Sequence, residues 1–298
     1  MIKPVSIKAK LKNLAVKEAK QFDYLLNLYI VERLLYRISI SEYAEKFVLK
    51  GGLLLYTILE DKARVTKDID MLARQLNNSL DNLERIFRII CSINVEDAIK
   101  FDLSTLRVER IKEDADYEGV RVKITAFLDK TKKVLQMDIG FGDIIVPKSI
   151  QMEYPSLLEM DKPIIQAYSI ESVIAEKFQA MVYLAEANSR MKDFYDIYSL
   201  SKLYNFNGTI LREAIESTFI HRDTTTPDTP TVFTKDFKKS IEKKQQWNAF
   251  KTRIDIKNEL DYDDVIESIK VFLEPIYISI IHKENFIMIW DAKNYVWK

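Results

Sequence analysis

Glycine constrains this chain more than any other residue type. There are 6 glycines in 298 residues, where average usage is about 7%. Four of the six are Gly51, Gly52, Gly140 and Gly142. A chain that avoids glycine elsewhere and places it in two clusters needs special backbone geometry at those points. Gly51-Gly52 closes the short β-prone run Phe47-Val48-Leu49-Lys50 and precedes a helical pattern from Leu53 to Glu60. Glycines at such a junction let the backbone approach phosphate oxygens closely, and a helix N-terminus favours an anion.

The next stretch, Arg64-Val65-Thr66-Lys67-Asp68-Ile69-Asp70, carries two carboxylates one residue apart. On a strand from Lys67 to Leu72 the period of two puts Asp68 and Asp70 on one face and Ile69 on the other. Carboxylates crowded on one face repel unless a cation sits between them. Hard oxygen ligands suit Mg²⁺ or Mn²⁺, which take one or two protein carboxylates plus substrate phosphates. With the glycine pair, the pattern reads as a site for a metal–nucleoside triphosphate complex. The plain alternative is an Asp-x-Asp on a solvated strand edge.

Composition narrows the class. Lys+Arg and Asp+Glu are 45 each, so any polyanion site is a local patch and not a property of the whole surface. One cysteine, Cys91, and two distant histidines, His221 and His282, exclude an intrachain disulfide framework and a Cys- or His-clustered metal site. Lone cysteine usage fits a reducing cytoplasm. The basic, polar stretch Met1–Lys12 has no apolar h-region, so no signal peptide is expected. No apolar run approaches the ~20 residues of a membrane helix.

In chain order, 6–46 reads as mostly helix, and 79–94 as an amphipathic helix with Leu80, Leu83, Ile86, Phe87 and Ile90 on one stripe. The run 119–128, the polar turn 129–133 and the run 134–143 read as a hairpin. Asp138 points opposite to Met137 and Ile139 on its return strand. It is either a third metal-face carboxylate or a solvent-facing residue of a half-exposed sheet. Pro147, Pro155 and Pro163 mark a passage between domains. Ser169 then N-caps a helix in which Lys177 lies between Ile174 and Met181. Its ammonium either snorkels to water or binds triphosphate. Asp193 is either a favourable acid at a helix start or a carboxylate opposite the metal face. Lys235 to Arg253 has seven Lys/Arg against two acids, with Phe237, Trp247 and Phe250 interleaved. It is the best candidate for a nucleic-acid surface, although a solvated helix face that buries its aromatics is the more economical reading.

Five segments in order carry a resemblance: Lys50-Gly51-Gly52, then Arg64-x-Thr66-x-Asp68-Ile69-Asp70, Asp138-Ile139-x-Phe141-Gly142-Asp143, Ala175-Glu176-Lys177-x-x-Ala180, and Arg190-x-Lys192-Asp193-x-Tyr195-Asp196. Together they resemble the AbiEii/AbiGii-type nucleotidyltransferases, the toxin halves of abortive-infection (type IV) toxin–antitoxin pairs, over roughly Phe47 to Ile276. The resemblance implies an α+β fold: a DNA polymerase β-like nucleotidyltransferase domain with a mixed sheet over 1–160, N-terminal helices included, then a mainly helical C-terminal domain over 161–298. It implies Asp68 and Asp70 as metal ligands, with Asp138 as the third acid at the base position. Lys177 becomes a triphosphate contact, and Asp193 completes the site from the helical domain. Gly51, Gly52, Arg64 and Lys192 join Lys177 in nucleotide binding. One departure stands out: Gly52 occupies a position where the wider superfamily often has a serine whose hydroxyl touches phosphate. The implied activity is Mg²⁺- or Mn²⁺-dependent transfer of a nucleoside monophosphate from an NTP to an acceptor, by analogy the 3′ end of tRNA. A separately encoded antitoxin is the implied partner. Transfer to a protein or small molecule, or nucleotide binding without chemistry, are the alternatives.

Overall fold

β1 (Phe47–Lys50) lies where the apolar run predicts it, and α3 (Gly51–Leu59) starts on the glycine pair, two residues earlier than the periodicity indicates. The computed structural model describes residues 2–59, 66, 68–113, 117–254 and 260–298. Ahead of β1, the expected helical run is two helices, α1 (Pro4–Lys17) and α2 (Phe22–Ser39). Between them Ala19 takes a left-handed φ of 51°, a conformation that ends helices. After α3 come β2 (Ile69–Ala73), α4 (Leu80–Ser92), β3 (Ile99–Glu113), β4 (Tyr117–Leu128) and β5 (Thr131–Phe141). Ser79 caps α4 by accepting from the Asn82 N–H.

The passage punctuated by prolines holds two strands that periodicity does not signal, β6 (Ile150–Glu153) and β7 (Ile164–Ala167). They are four residues each, and β6 is half-buried only at Met152. An edge strand with one buried side chain shows no alternation to read.

Chain contacts separate two compact units. The first takes in Met1–Ile58, Val65–Gly142 and Ser149–Ala167; the second is chiefly Asp143–Lys148 and Tyr168–Lys298. Among the described residues the first unit is built on a seven-stranded sheet in the order β3-β4-β5-β2-β1-β7-β6. It is mixed: β2 runs parallel to β5 and β1 to β7, while the other neighbours are antiparallel.

The two faces of this sheet differ in chemistry. Val120, Val122, Ile124 and Ala126 of β4, Leu135, Met137 and Ile139 of β5, and Ile69 and Met71 of β2 are all buried. The α4 stripe packs on this side, with Phe87 against Phe47 at 5.4 Å between ring centroids. The opposite face carries Arg121, Asp138, Asp70 and Lys50, which the strand register places side by side.

The second unit is mainly helical: α5 (Ile170–Leu184), α6 (Met191–Leu203), α7 (Gly208–His221), α8 (Lys235–Lys239), α9 (Ile241–Arg253) and α10 (Tyr262–Ile281), with short strands β8 (Phe206–Asn207), β9 (Ile289–Asp291) and β10 (Val296–Trp297). Ser169 caps α5 as the sequence predicts, accepting from the Ser172 N–H. Phe178 of α5 meets Phe219, Phe233 and Tyr277 at 5.6–5.9 Å. Aromatic clusters of this kind hold helices through large buried area and offset ring contacts.

Candidate active site

On the polar face of the sheet, five strands align one row of charged residues. Glu109 of β3 lies opposite Arg121 of β4, Arg121 opposite Asp138 of β5, Asp138 beside Asp70 of β2, and Asp70 opposite Lys50 of β1. Signs alternate along the row except at Asp138–Asp70, where two carboxylates meet in register. Directly opposed like charges destabilise a sheet, and here the Arg121 guanidinium lies against the Asp138 carboxylate. Asp68 lies just ahead of β2 and is exposed, while Asp70 is half-buried on the strand. The expected strand start at Lys67 lies outside the described residues, and Asp68 presents its carboxylate from a loop instead of the strand face.

The glycine pair is fitted to these side chains. Gly51 has φ +68°, and a Cβ there would come within 2.0 Å of an Asp70 carboxylate oxygen. Only glycine allows both the backbone angle and the close approach. A Cβ on Gly52 would stand 2.6 Å from Thr66 Oγ1 and 2.9 Å from Thr66 Cβ. The space a serine would need at 52 is therefore filled by the buried Thr66, which itself brings a hydroxyl to that spot. This is the structural reason for the departure at Gly52.

Asp138 is strongly engaged. Its two oxygens accept from Arg121 Nε at 2.7 Å and Nη2 at 2.8 Å. Gln136 lies alongside, its amide nitrogen 3.5 Å from Asp138 in one orientation and its amide oxygen 3.1 and 3.2 Å from Arg121 Nε and Nη2 in the other. The Asp138 hydrogen bond holds the Arg121 guanidinium more firmly protonated, with smaller contributions from Glu109 and Asp68. Arg121 has no signal in the sequence beyond its place on an alternating strand; only the register reveals it. Among the described residues no group of three or more His, Cys, Asp or Glu is gathered to hold a metal ion. Arg64, the expected phosphate contact upstream, lies outside the described residues.

The second unit gathers charged residues of its own. Lys177 of α5 donates to Asp193 at 2.6 Å and to Asp196 at 2.8 Å, and Arg190 Nε donates to the other Asp193 oxygen at 2.6 Å. Asp193 and Asp196, three apart on α6, present one face to Lys177. Both carboxylates are 0% exposed. Burial alone would raise the Asp193 carboxyl, but the Lys177 ammonium and the Arg190 guanidinium bring it down to about 2. Asp196 completes this cluster and was visible in the sequence only as part of a motif. Lys192 is exposed in the first turn of α6.

Asp143 and Glu176 also find a partner that the sequence does not mark. Arg222, at the C-cap of α7, lies 3.2 Å from Asp143 and 3.4 Å from Glu176 and donates to Gln179 at 3.1 Å. The Tyr168 hydroxyl donates to Asp143 at 3.2 Å.

The basic stretch at 235–253 resolves to the economical reading. Phe237, Trp247 and Phe250 are buried. Lys243 is buried too, donating to the Glu186 and Asn188 carbonyl oxygens. Lys238 pairs with Glu267 and Lys244 with Asp263. Three of the seven cations are thus already engaged within the second unit. Among the described residues no helix is long and apolar enough to cross a membrane.

Among solved structures, JHP933 from Helicobacter pylori is 14% identical, with a TM-score of 0.48 over 88% of this chain and 94% of that one. A second H. pylori chain, provisionally described as a nucleotidyltransferase, is 14% identical with a TM-score of 0.48, covering 89% of this chain and 99% of that one. No curated protein matches. The family model described as nucleotidyl transferase AbiEii toxin, type IV TA system, matches residues 33–268. The chain therefore belongs to the AbiEii family of nucleotidyltransferase toxins.

Proposed function

We propose that this nucleotidyltransferase transfers a nucleoside monophosphate from an NTP to RNA, at the 3′ end of tRNA, with Mg²⁺ or Mn²⁺ held by Asp68 and Asp70. The observation that supports the metal is the pair of closely spaced carboxylates, exposed Asp68 just ahead of β2 and half-buried Asp70 on it, beside a glycine whose missing Cβ leaves room for the Asp70 carboxylate. When bound, the divalent ions supply charge neutralisation and in-line alignment of the attacking oxygen, the α-phosphorus and the leaving pyrophosphate.

The chain's own groups do the rest by positioning and charge, which dominate phosphoryl-type transfer. Backbone N–H groups at the start of α3 offer donors to phosphate oxygens. Thr66 supplies a hydroxyl where Gly52 has none. Lys50, opposite Asp70, keeps the row from accumulating negative charge. The RNA acceptor rests on the family resemblance; the basic stretch at 235–253 adds no support. Family membership also supports an antitoxin as partner.

The test is incubation of the purified protein with Mg²⁺, each α-³²P-labelled NTP in turn, and total RNA, resolved on a denaturing gel. Label entering a tRNA-sized band, and lost in Asp70→Ala, is the expected result. Label on protein alone would replace RNA by a protein acceptor. An Asp70→Ala protein that still transfers label would sink the metal assignment.

A further inference from the structure

The row on the sheet contains one charged group whose hydrogen-bonding capacity is only half used. Arg121 turns Nε and Nη2 towards Asp138. Its side chain stays 29% exposed, against 14% for Asp138. Among the described residues Nη1 makes no hydrogen bond. A guanidinium pinned along one edge by a carboxylate keeps its other edge rigid and outward. That edge carries parallel N–H donors whose spacing suits phosphate oxygens.

Asp138 has the complementary property. Both its oxygens accept from Arg121. A carboxylate placed this way fixes the direction of the guanidinium.

We propose that Arg121 is a phosphate-binding residue of the nucleotide site and that Asp138 is its positioning residue. The assignment rests on the metal–NTP reading above. Asp70 stands beside Asp138 in the register, so a triphosphate chelated to a metal on Asp68 and Asp70 lies next to the guanidinium. Two cations of different kinds then share the polyanion: a divalent ion on the Asp70 side and Arg121 on the Asp138 side. The glycine pair lets the chain pass close to Asp70 without blocking either.

The test uses inorganic tripolyphosphate, the part common to every NTP, so the identity of the base does not matter. Its binding with Mg²⁺ is measured by calorimetry on the full chain, and protein-bound Mn²⁺ is followed by electron paramagnetic resonance at saturating tripolyphosphate. Arg121→Gln is expected to weaken tripolyphosphate about ten- to a hundredfold, with Arg121→Lys recovering part of the loss. Asp138→Asn should weaken it several-fold while the bound-Mn²⁺ signal persists; Asp70→Asn should abolish that signal. Unchanged affinity in Arg121→Gln, or loss of bound Mn²⁺ in Asp138→Asn as complete as in Asp70→Asn, would overturn the assignment and leave the metal–NTP reading standing. A wild-type chain that takes up neither probe would overturn both. Circular dichroism confirms that each variant is folded before its affinity is compared.

Discussion

The charged row on the sheet of the first unit and the charged cluster between α5 and α6 of the second use the same side chains to opposite ends. In the cluster, Lys177 and Arg190 face Asp193 and Asp196, so the formal charges cancel among partners that are hydrogen-bonded to one another. In the row, two like charges, Asp138 and Asp70, stand side by side, with Arg121 paired to Asp138 on the far side. Burial explains the difference. Taking an ion fully out of water costs several kcal/mol, which only internal partners can offset. A half-exposed row can keep a like-charge neighbour, because water and mobile ions screen it. The cluster is closed and ties α5 to α6; the row stays partly exposed.

The largest effect that would test this contrast is on activity. Asp70→Ala should lower nucleotidyl transfer by ~10³-fold or more, read as pyrophosphate release, while the chain remains folded by circular dichroism. A large loss of stability would mean that the row is structural after all. Lys177→Met should lower stability. Stripping the cation from two buried carboxylates should cost about 3–5 kcal/mol in urea unfolding.

Acid should reach the cluster next. The Asp193 carboxyl lies at about 2 when folded, below its ordinary value of 3.8. The unfolded chain therefore binds the proton more readily than the folded one. The stabilisation is complete above about pH 4 and is lost as pH falls through about 2, a change of up to about 2 kcal/mol. Unfolding followed against pH should show this slope in the wild type and a flatter one in Asp193→Asn.

Gly51→Ala should destabilise by roughly 1–3 kcal/mol, since alanine is strained at φ +68° and its Cβ would strike the Asp70 carboxylate. Activity should fall along with stability, measured by the same two assays. The smallest effect belongs to the basic stretch. Lys238→Gln removes a largely exposed pair with Glu267 and should change stability by less than about 1 kcal/mol; retention of RNA in a gel-shift assay should not change either.

Much of the candidate site was legible in the chain because its constraints are local. The scarcity of glycine, the Asp-x-Asp spacing and the order of five short motifs all lie along the sequence. So do the strand at Phe47–Lys50, the Ser79 and Ser169 caps and the amphipathic stripe of α4. Short-range rules of period and capping govern all of these. The strands β6 and β7 were not legible, since four residues are too few to leave a periodic trace, even where burial alternates as in β7. Lys243 misled in the other direction: it reads as a solvent-facing cation, but its ammonium is buried against two carbonyl oxygens.

By itself, then, the amino-acid sequence determined the family, the residue types at the site and most helices and strands, because each is encoded within a few turns or one strand. The tertiary structure decided who neutralises whom. Arg121 meets Asp138 across 17 residues of chain, Lys177 meets Asp196 across 19, and Thr66 fills the place of a side chain at Gly52. Charge pairing depends on strand register and helix packing, and neither is a property of any single segment.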